Sequence, residues 1–453
     1  MTPAGPAYHW SVAERFPLED QDIRILEIEG PTIVGHTCKV VRLASPGVEF
    51  HRFFETVGAR IESVPELTWK LDPGPGPPAW VRDDGFDLNR HLVLLEDGRP
   101  LAEGEIAAAS SRLFAEKLDR NFPLWRIDFA QNDDGGTTLI WRIHHALADG
   151  TTAMRIGREI LWHPAAEPEP TASVTATATV KTEATAAATA AAKAKRLADD
   201  DIRRRRHLLG LFEREFTRTK GPSPFDGVIC TDRSLAFATI SLSAIHDAGK
   251  KAAGATLNDS VLSVVAGAIR HWMELHHEEA PGTVRVRVPV SLHHGDDEGG
   301  NRDSFFSIPL PIHEPDPIRR LTEIREETEV RKMDHDAEEL DSILRKVSHT
   351  SPRLSHFYSK FEANPRRFAL NISNVRGPSR PVMVLEAPVE TVHSIAEIGE
   401  RHALRIAALS IGDRLCFGFC ADPDLVRDLE VMAEGIEWAT NRLVKAAEGL
   451  PGS

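Results

Sequence analysis

The sequence predicts an α/β (α+β) protein built from two sandwich domains. Its 453 residues are too many for one ordinary core and fit two domains of about 150–250 residues each. Apolar side chains make up 41% of the chain, which is enough to fill both cores. Helical and strand periodicities mix in both halves without strict βαβ alternation, and no glycine-rich phosphate loop follows a strand. A dinucleotide-binding fold is therefore not supported.

A segment of low complexity divides the chain. From Ala165 to about Lys195 it contains mainly Ala, Thr, Pro, Glu and Val, with hardly a large apolar side chain. Such a segment cannot bury enough surface to offset the entropy of ordering it. We therefore predict a flexible linker over 165–200, an N-terminal domain over 1–164 and a C-terminal domain over 201–453.

In the first half, the spacing of apolar residues predicts three helices and a strand. Helical spacing runs over 50–64, over 106–118 and again after Gly150. The apolar run 137–143 follows a cluster of turn residues and is typical of a buried strand. A pair of histidines follows this predicted strand directly.

The second half shows a similar mixture. Strict alternation over 284–290 predicts a strand. The segment 258–275 is apolar nearly all round, which predicts a buried helix with Asn258 as its N-cap. The stretch 405–420 predicts a hairpin that turns at a Gly-Asp pair, and 425–443 predicts a closing amphipathic helix.

Charge and cysteine content exclude some classes of protein. The formal net charge of −14 argues against a general nucleic-acid binder, because binding to phosphates needs a positive surface. Four scattered cysteines suit neither a disulfide framework nor a zinc motif, which is typical of a reduced, cytoplasmic protein. The chain has no run of roughly 18 apolar residues and no evident signal peptide, so we expect any membrane contact to be peripheral.

A basic stretch over 203–216 is the candidate for such contact. Four successive arginines precede Leu and Phe residues at helical spacing. An amphipathic helix of this kind suits an anionic surface, at the inner membrane or on lipid inclusions. A solvated helix packed on the second domain is the alternative.

The strongest chemical motif is the segment His144-His145-Ala-Leu-Ala-Asp149-Gly150. Ester formation from a thioester needs a base that removes the proton of the attacking hydroxyl. A neutral imidazole, with an ordinary pKa of about 6.5, suits this task at pH 7. A nearby carboxylate and a glycine turn would hold the base in one orientation. The chain has no Gly-x-Ser-x-Gly elbow, so a serine nucleophile is not supported.

Two other interpretations of the motif stay open. The histidines are also consistent with ordinary polar residues at a strand end. A metal site is the second alternative, because His and Asp are metal ligands. Adjacent residues of a strand point to opposite faces, so His144 and His145 would not readily bind one ion, and we expect no metal.

The motif resembles the HHxxxDG signature of the CoA-dependent acyltransferase superfamily. Five further segments resemble motifs of one bacterial branch, the wax ester synthase/diacylglycerol acyltransferase family, in the family's order and across nearly the whole chain. They are FDLxxH at 86–91, PLW at 123–125, ND at 258–259, PVSLR…GN at 289–301 and SNVPGP at 373–378. Three segments depart from the family pattern: His293, Arg376 and the charged stretch 400–404.

This resemblance implies a fold and roles for the motif residues. It implies two chloramphenicol-acetyltransferase-like domains with the active site in a channel between them. His145 is then the general base and His144 supports it. Asp149 is structural, in an ion pair with an arginine for which Arg142 is a weak candidate, and Gly150 forms the motif turn.

Four further residues are candidates for binding substrate. They are Asn258, Trp125, Asn301 and Asn374. Each has a simpler interpretation, which is helix capping for Asn258 and packing in the core for Trp125. For Asn301 and Asn374 it is the support of turns in glycine-bearing loops.

The resemblance implies an acyl-CoA-dependent O-acyltransferase that forms wax esters or triacylglycerol. Acyl-CoA is the co-substrate, a hydroxyl compound is the acceptor, and no further cofactor is expected. If the three segments that depart from the family pattern line the acceptor channel, their charge would disfavour a long alkyl acceptor. A carrier-protein thioester as donor, a polar or polyketide hydroxyl as acceptor, and a non-catalytic lipid-binding relative are the alternatives.

Overall fold

The computed structural model describes residues 15–74, 76–164, 223–276, 282–291, 303–333 and 368–450. The predicted linker over 165–200 and the basic stretch over 203–216 lie outside these residues. Asn301 and His293 lie outside them as well. The predictions made for these four parts of the chain therefore stay predictions.

The larger sheet carries the histidine motif. It has seven strands in the order β5 (Leu92–Leu94), β6 (Trp125–Gln131), β7 (Thr137–His144), β2 (His36–Leu43), β14 (Ala387–Ala396), β13 (Val382–Val384) and β8 (Trp162–Pro164). The predicted strand over 137–143 is β7. It pairs with β6 and β2 on its two sides, and all its residues are buried.

Four helices and a small sheet surround these strands. The helices are α1 (Asp20–Ile28), α2 (Phe50–Arg60), α3 (Glu103–Ala115) and α4 (Gly150–Ile160). The small sheet has the order β1 (Arg15–Pro17), β4 (Ala79–Arg82), β3 (Trp69–Leu71). The predicted helix over 50–64 ends at Arg60, because two short 3-10 helices follow, and the second begins with Pro65.

The second sheet has six strands. Their order is β11 (Asp303–Leu310), β10 (Val284–Ser291), β12 (Leu370–Arg376), β15 (Leu404–Ile411), β16 (Arg414–Ala421) and β9 (Ser234–Ser241). Its helices are α5 (Leu242–Ala253), α6 (Leu257–Leu275), α7 (Pro317–Met333) and α8 (Leu429–Glu448). The predicted hairpin is confirmed as β15 and β16, which pair antiparallel up to Ile411 and Arg414.

The predicted cap of the buried helix is wrong. The N-cap of α6 is Thr256, whose hydroxyl accepts from the amide N–H of Asp259. The Asp259 carboxylate accepts in return from the Thr256 amide N–H at 2.8 Å, which completes a capping box. Asn258 is the second residue of α6. A two-residue error arises because Thr256 and Asn258 are both good capping residues.

One strand pair crosses from the C-terminal half into the first sheet. β14 pairs antiparallel with β2, so that Ile395 lies opposite Cys38. β14 also contacts β15 and β16, and the His393 ring donates to the carbonyl oxygen of Phe417 at 3.0 Å. A Cβ at Gly418 would lie 2.3 Å from the Ser394 carbonyl oxygen, so only glycine allows this close approach. The strands over 382–396 thus belong to the first sheet, although they lie within the predicted C-terminal domain, 201–453, and not within 1–164.

No single helix in the described ranges is long and apolar enough to cross a membrane. The pair α5 and α6 passes the length and composition test only when taken together, across a bend of 97°. Most of α6 is buried in the protein, as expected of a core helix.

Candidate active site

The histidine motif lies where the first sheet meets the second. β7 ends at His144, and the amide N–H of His145 donates to the carbonyl oxygen of Gly35 at 2.9 Å. α4 then begins at Gly150, where an added Cβ would lie 3.9 Å from Val375 of β12. Gly150 has helical rather than left-handed backbone and space for a methyl group, so a positive φ angle does not explain the motif glycine.

The His144 ring is buried and holds the start of the motif in place. Its Nδ1 accepts from the amide N–H of Ala146 at 3.1 Å, which places the ring hydrogen on Nε2. That atom lies 3.4 Å from Oε2 of Glu29. Although burial raises it, the adjacent His144 ring and the hydrogen-bonded Arg120 guanidinium lower the pKa of Glu29 to about 2. Glu29 is thus a permanent anion that orients His144.

Gly35 makes room for this histidine. A Cβ at Gly35 would lie 2.2 Å from Nε2 and 2.7 Å from Cε1 of His144. Because the ring is buried between Glu29 and the sheet, it cannot move away cheaply.

We expect Gly35→Ala to lower stability by about 1–3 kcal/mol, as overpacking does in other cores, and to lower activity through a displaced motif. Urea denaturation of wild type and variant measures the first effect. Gly104→Ala is the matched control, because nothing lies within 4 Å of its added Cβ. Equal stability of the wild type and the Gly35 variant would contradict this role.

The arginine partner expected for Asp149 is not found in the described part of the chain. Asp149 instead caps α4, and its Oδ1 accepts from the Thr152 amide N–H at 2.6 Å. The prediction of an arginine ion pair is therefore wrong for these residues, because an N-cap satisfies the carboxylate without a cation. A nearby cation is the buried Lys39, which donates to Ser394 at 2.6 Å. Burial lowers the pKa of Lys39 to about 8, and the Asp149 carboxylate opposes this shift.

Arg142, the weak candidate, pairs elsewhere. Its Nη2 lies 2.9 Å from Oδ2 of Asp128, and its Nη1 donates to the Leu113 carbonyl oxygen at 2.6 Å. Both members of the pair are buried, and Arg126 also donates to Asp128 at 2.8 Å. These bonds join β6, β7 and α3 beneath the motif.

His145 has the properties of a neutral base. Its side chain is half-buried, and its Nδ1 is buried without a hydrogen-bond partner among the described residues. Burial, together with the positive charge of Arg405, lowers the pKa of His145 to about 4. The imidazole is therefore neutral at pH 7 and ready to accept a proton.

This shift predicts the pH dependence of activity. We expect kcat/KM to stay level as the pH falls from 7 and to decline only near pH 4, where His145 becomes protonated. A decline centred at 6.5 or above would contradict the assignment.

The control for this profile is the folded fraction at each pH, measured by circular dichroism. Burial also lowers the pKa of His36 to about 3 and the pKa values of His393 and His402 to about 4. Their stabilising contribution is complete above 6.5 and is lost as the pH falls through these lowered values.

Trp125 is in the core rather than on an open surface. It is 1% exposed, and its indole N–H donates to the Leu67 carbonyl oxygen at 2.7 Å. His91 stacks on Trp125 at 4.6 Å and on Phe86 at 5.1 Å. The stack joins the FDLxxH and PLW segments and favours the packing interpretation over a role in binding substrate.

The two described asparagines differ in position. Asn258 is half-buried in the first turn of α6. Asn374 lies within β12 and not in a loop, which corrects the predicted turn. It pairs with Ala408 of β15, whereas its neighbour Val375 faces Gly150. Alternation along the strand thus turns Asn374 away from the motif.

In the charged stretch over 400–404, charged side chains lie at the surface and one titratable side chain lies in the core. Arg401 is half exposed and pairs with Asp226 at 2.8 Å. His402 is buried and stacks on Phe368 at 4.2 Å. Arg401 is therefore neutralised at the surface, and this charge gives no argument against an apolar acceptor.

A group of potential metal ligands lies outside the histidine motif. Within the described ranges, the group of side chains that could hold an ion is Cys230, Asp422 and Asp424, whose ligand atoms lie within 4.8 Å of one another. Asp422 already accepts from the amide N–H groups of Cys230, Asp424 and Leu425. His144 and His145 belong to no such group in this part of the chain.

Sequence reasoning missed four residues around the motif: Glu29, Gly35, Lys39 and Arg405. Arg405 interrupts the otherwise largely apolar strand β15, a signal that could have identified it, whereas β2 around Lys39 contains other polar residues. Glu29 and Gly35 flank β2 in loops, where polar residues and glycine are too common to stand out.

Comparison with known proteins decides the family. The profile of the wax ester synthase/diacylglycerol acyltransferase catalytic domain matches residues 18–261, and that of the family's C-terminal domain matches residues 299–443. The chain belongs to this family. It is accordingly an acyltransferase, and the resemblance predicted from its motifs is confirmed.

Two relatives can be aligned with nearly the whole chain. One from Mycobacterium tuberculosis, provisionally named a diacylglycerol O-acyltransferase, is 24% identical over 98% of this chain and 92% of its own. Another from that organism with the same provisional name is 26% identical over 92% of this chain and 94% of its own.

Solved structures show the same fold. The wax ester synthase/diacylglycerol acyltransferase of Marinobacter aquaeolei VT8 superposes with a TM-score of 0.69 at 20% identity, covering 96% of this chain and 100% of that one. The first condensation domain of the CDA synthetase gives a TM-score of 0.56 at 16% identity, covering 97% and 98%. The predicted two-domain α/β fold is thereby confirmed.

Proposed function

We propose that this acyltransferase moves a fatty acyl group from acyl-CoA to the hydroxyl of a long-chain alcohol or diacylglycerol, forming wax ester or triacylglycerol. The observation that carries the proposal is His145, a half-buried and neutral imidazole held by its main chain at the junction of the two sheets. Family membership and the names of the relatives support the substrates.

The proposed chemistry is a direct transfer. Because Nδ1 is buried, Nε2 of His145 is the ring nitrogen that takes the proton of the acceptor hydroxyl. The hydroxyl oxygen then forms a bond to the thioester carbonyl carbon, the carbon–sulfur bond breaks, and the proton passes to the leaving thiolate. His144 and Glu29 hold the strand end in place, so that the base is oriented before substrate binds. The proposed reaction uses acyl-CoA as co-substrate and no further cofactor.

Product analysis tests the proposal. Purified protein is incubated with palmitoyl-CoA and either hexadecanol or dipalmitoylglycerol, and the esters are identified by mass spectrometry. We expect palmityl palmitate, tripalmitin or both, in amounts that rise with enzyme and acceptor.

Absence of both esters from folded protein would contradict the proposed substrates. Ester formed only from a carrier-bound palmitoyl donor would assign the donor differently. Tight binding of palmitoyl-CoA without any transfer would favour a lipid-binding role. A cytoplasmic location with peripheral contact through 203–216 stays a separate prediction.

A further inference from the structure

The second sheet presents two arginines towards the junction with the first sheet. Arg287 of β10 lies opposite Asn371 of β12, and Asn371 lies opposite Arg405 of β15. Residues that pair in register point to the same face of a sheet, so these three side chains form one row. We call them the basic row.

The basic row lies on the face of the second sheet that is turned towards the first sheet. Gly418 of β16 approaches Ser394 of β14 and lies opposite Ala407 of β15. Arg405, two residues before Ala407, therefore shares the face on which β14 of the first sheet packs on β15. Arg405 lies close enough to the motif for its charge to oppose protonation of His145.

Arg405 has no carboxylate partner among the residues described. Its Nη1 donates to the main-chain oxygen of Glu397 at 2.9 Å, and its Nε is buried and donates to no acceptor there. The Glu397 carboxylate instead accepts from Arg233 at 2.8 Å and from the amide N–H groups of Val34 and Ile398. Arg405 is half-buried, and the nearby Glu397 carboxylate, whose charge favours the protonated guanidinium, is already paired with Arg233.

A second arginine lies in the same row. Arg287 is held between the rings of Phe305 and Phe368, at 3.8 and 4.0 Å from their centroids. Burial lowers the pKa of Arg405; the charges of Cys420 and Glu397 oppose this shift, and that of Arg287 adds to it. Two guanidinium groups and an amide on three neighbouring strands extend over about 10 Å, since strands lie about 4.8 Å apart. A row of this length has more hydrogen-bond donors than a single oxyanion oxygen can use, and its guanidinium groups match the two oxygens of a planar carboxylate.

We propose that the basic row is an anion subsite, in which Arg405 binds a carboxylate carried by the hydroxyl acceptor. The preferred acceptor is then a hydroxy acid whose hydroxyl lies a few bonds from its carboxylate, because one group must reach Arg405 while the other reaches His145. This assignment rests on the proposed acyl transfer at His145 and adds hydroxy acids to the alcohol and diacylglycerol proposed above as acceptors. The phosphates of CoA are too far from its thioester, beyond the pantetheine arm, to occupy this subsite.

The test compares 3-hydroxyhexadecanoate with its methyl ester, using palmitoyl-CoA as donor. We expect wild type to favour the acid by about ten- to a hundredfold in kcat/KM, the effect of one hydrogen-bonded charge pair. Arg405→Met should remove this preference because transfer to the acid falls more than transfer to the methyl ester, and Arg405→Lys should keep part of it. Arg320→Met is the control, because Arg320 is a buried arginine of the same domain that likewise donates to main-chain oxygens.

A pH profile adds a readout that a purely structural role would not change. Without the positive charge at 405, the acid limb of the Arg405→Met profile with the methyl ester should move to higher pH. Equal rates of wild type with both acceptors, or equal losses with both in the variant, would overturn the subsite.

Binding separates this proposal from the proposed function. If wild type transfers palmitate to neither compound nor to any other hydroxyl, the proposed function fails, and calorimetry of the His145→Ala protein decides about the subsite. Tighter binding of the acid than of the ester, lost in His145→Ala/Arg405→Met, supports it. Equal binding of the two compounds overturns it.

Discussion

Replacing His145 with alanine is expected to lower kcat/KM for acyl transfer by about two to four orders of magnitude, the usual contribution of a general base. The fold should survive this change. The ring of His145 makes no hydrogen bond to the described residues, and its main-chain bond to Gly35 is retained by alanine. Loss of activity with unchanged thermal stability therefore separates chemistry from structure.

The measurement is the initial rate of ester formation for wild type and variant at matched protein concentration. His51→Ala is the control, since His51 is an exposed histidine on α2 whose ring lies 3.3 Å from Glu55. We expect it to retain full activity. A His145→Ala protein that transfers acyl groups at the rate of wild type would remove His145 from the mechanism.

Asp128→Ala should cause the largest loss of stability, about 3–5 kcal/mol, as found when one member of a buried ion pair is removed. Asp128 is 0% and Arg142 2% exposed, so the change leaves a guanidinium without its carboxylate in the core. The pair ties β7 to β6 directly below the motif. Activity at temperatures near unfolding should fall with stability.

Urea denaturation with a constant m-value measures this effect. Glu329→Ala breaks an exposed ion pair with Arg325 and should cost no more than about 0.5 kcal/mol. Adding Arg142→Leu to the Asp128 variant should recover part of the loss, because the unpaired cation is then gone. Equal stability of Asp128→Ala and Glu329→Ala would show that the buried pair does not hold the sheet together.

Short-range patterns predicted the elements well. The apolar run before the histidines is β7, and the Gly-Asp turn joins β15 to β16, because both signals depend on neighbouring residues. The cap of α6 was misplaced by two residues, since Thr256 and Asn258 compete for the same role. Local sequence places such boundaries only approximately.

Long-range placement was beyond sequence reasoning. Nothing near Ile395 shows that its strand joins the first sheet beside Cys38. The same holds for Asp149, whose carboxylate caps α4 where an ion pair was expected. The position of Arg405 could not be predicted either, since its charge acts on His145 across the junction at which β14 packs on β15. Asn374 was placed in a loop because its glycine neighbours masked the alternation of β12.

The most direct test of the account is the stoichiometry of CoA release. Free thiol is followed after palmitoyl-CoA is mixed with wild-type protein, with and without acceptor, while ester is quantified in the same samples. Direct transfer at His145 predicts no burst of thiol without acceptor, and one ester for each thiol when acceptor is present. A thiol burst equal to the enzyme concentration, in the absence of any acceptor, would contradict it by revealing a covalent acyl-enzyme.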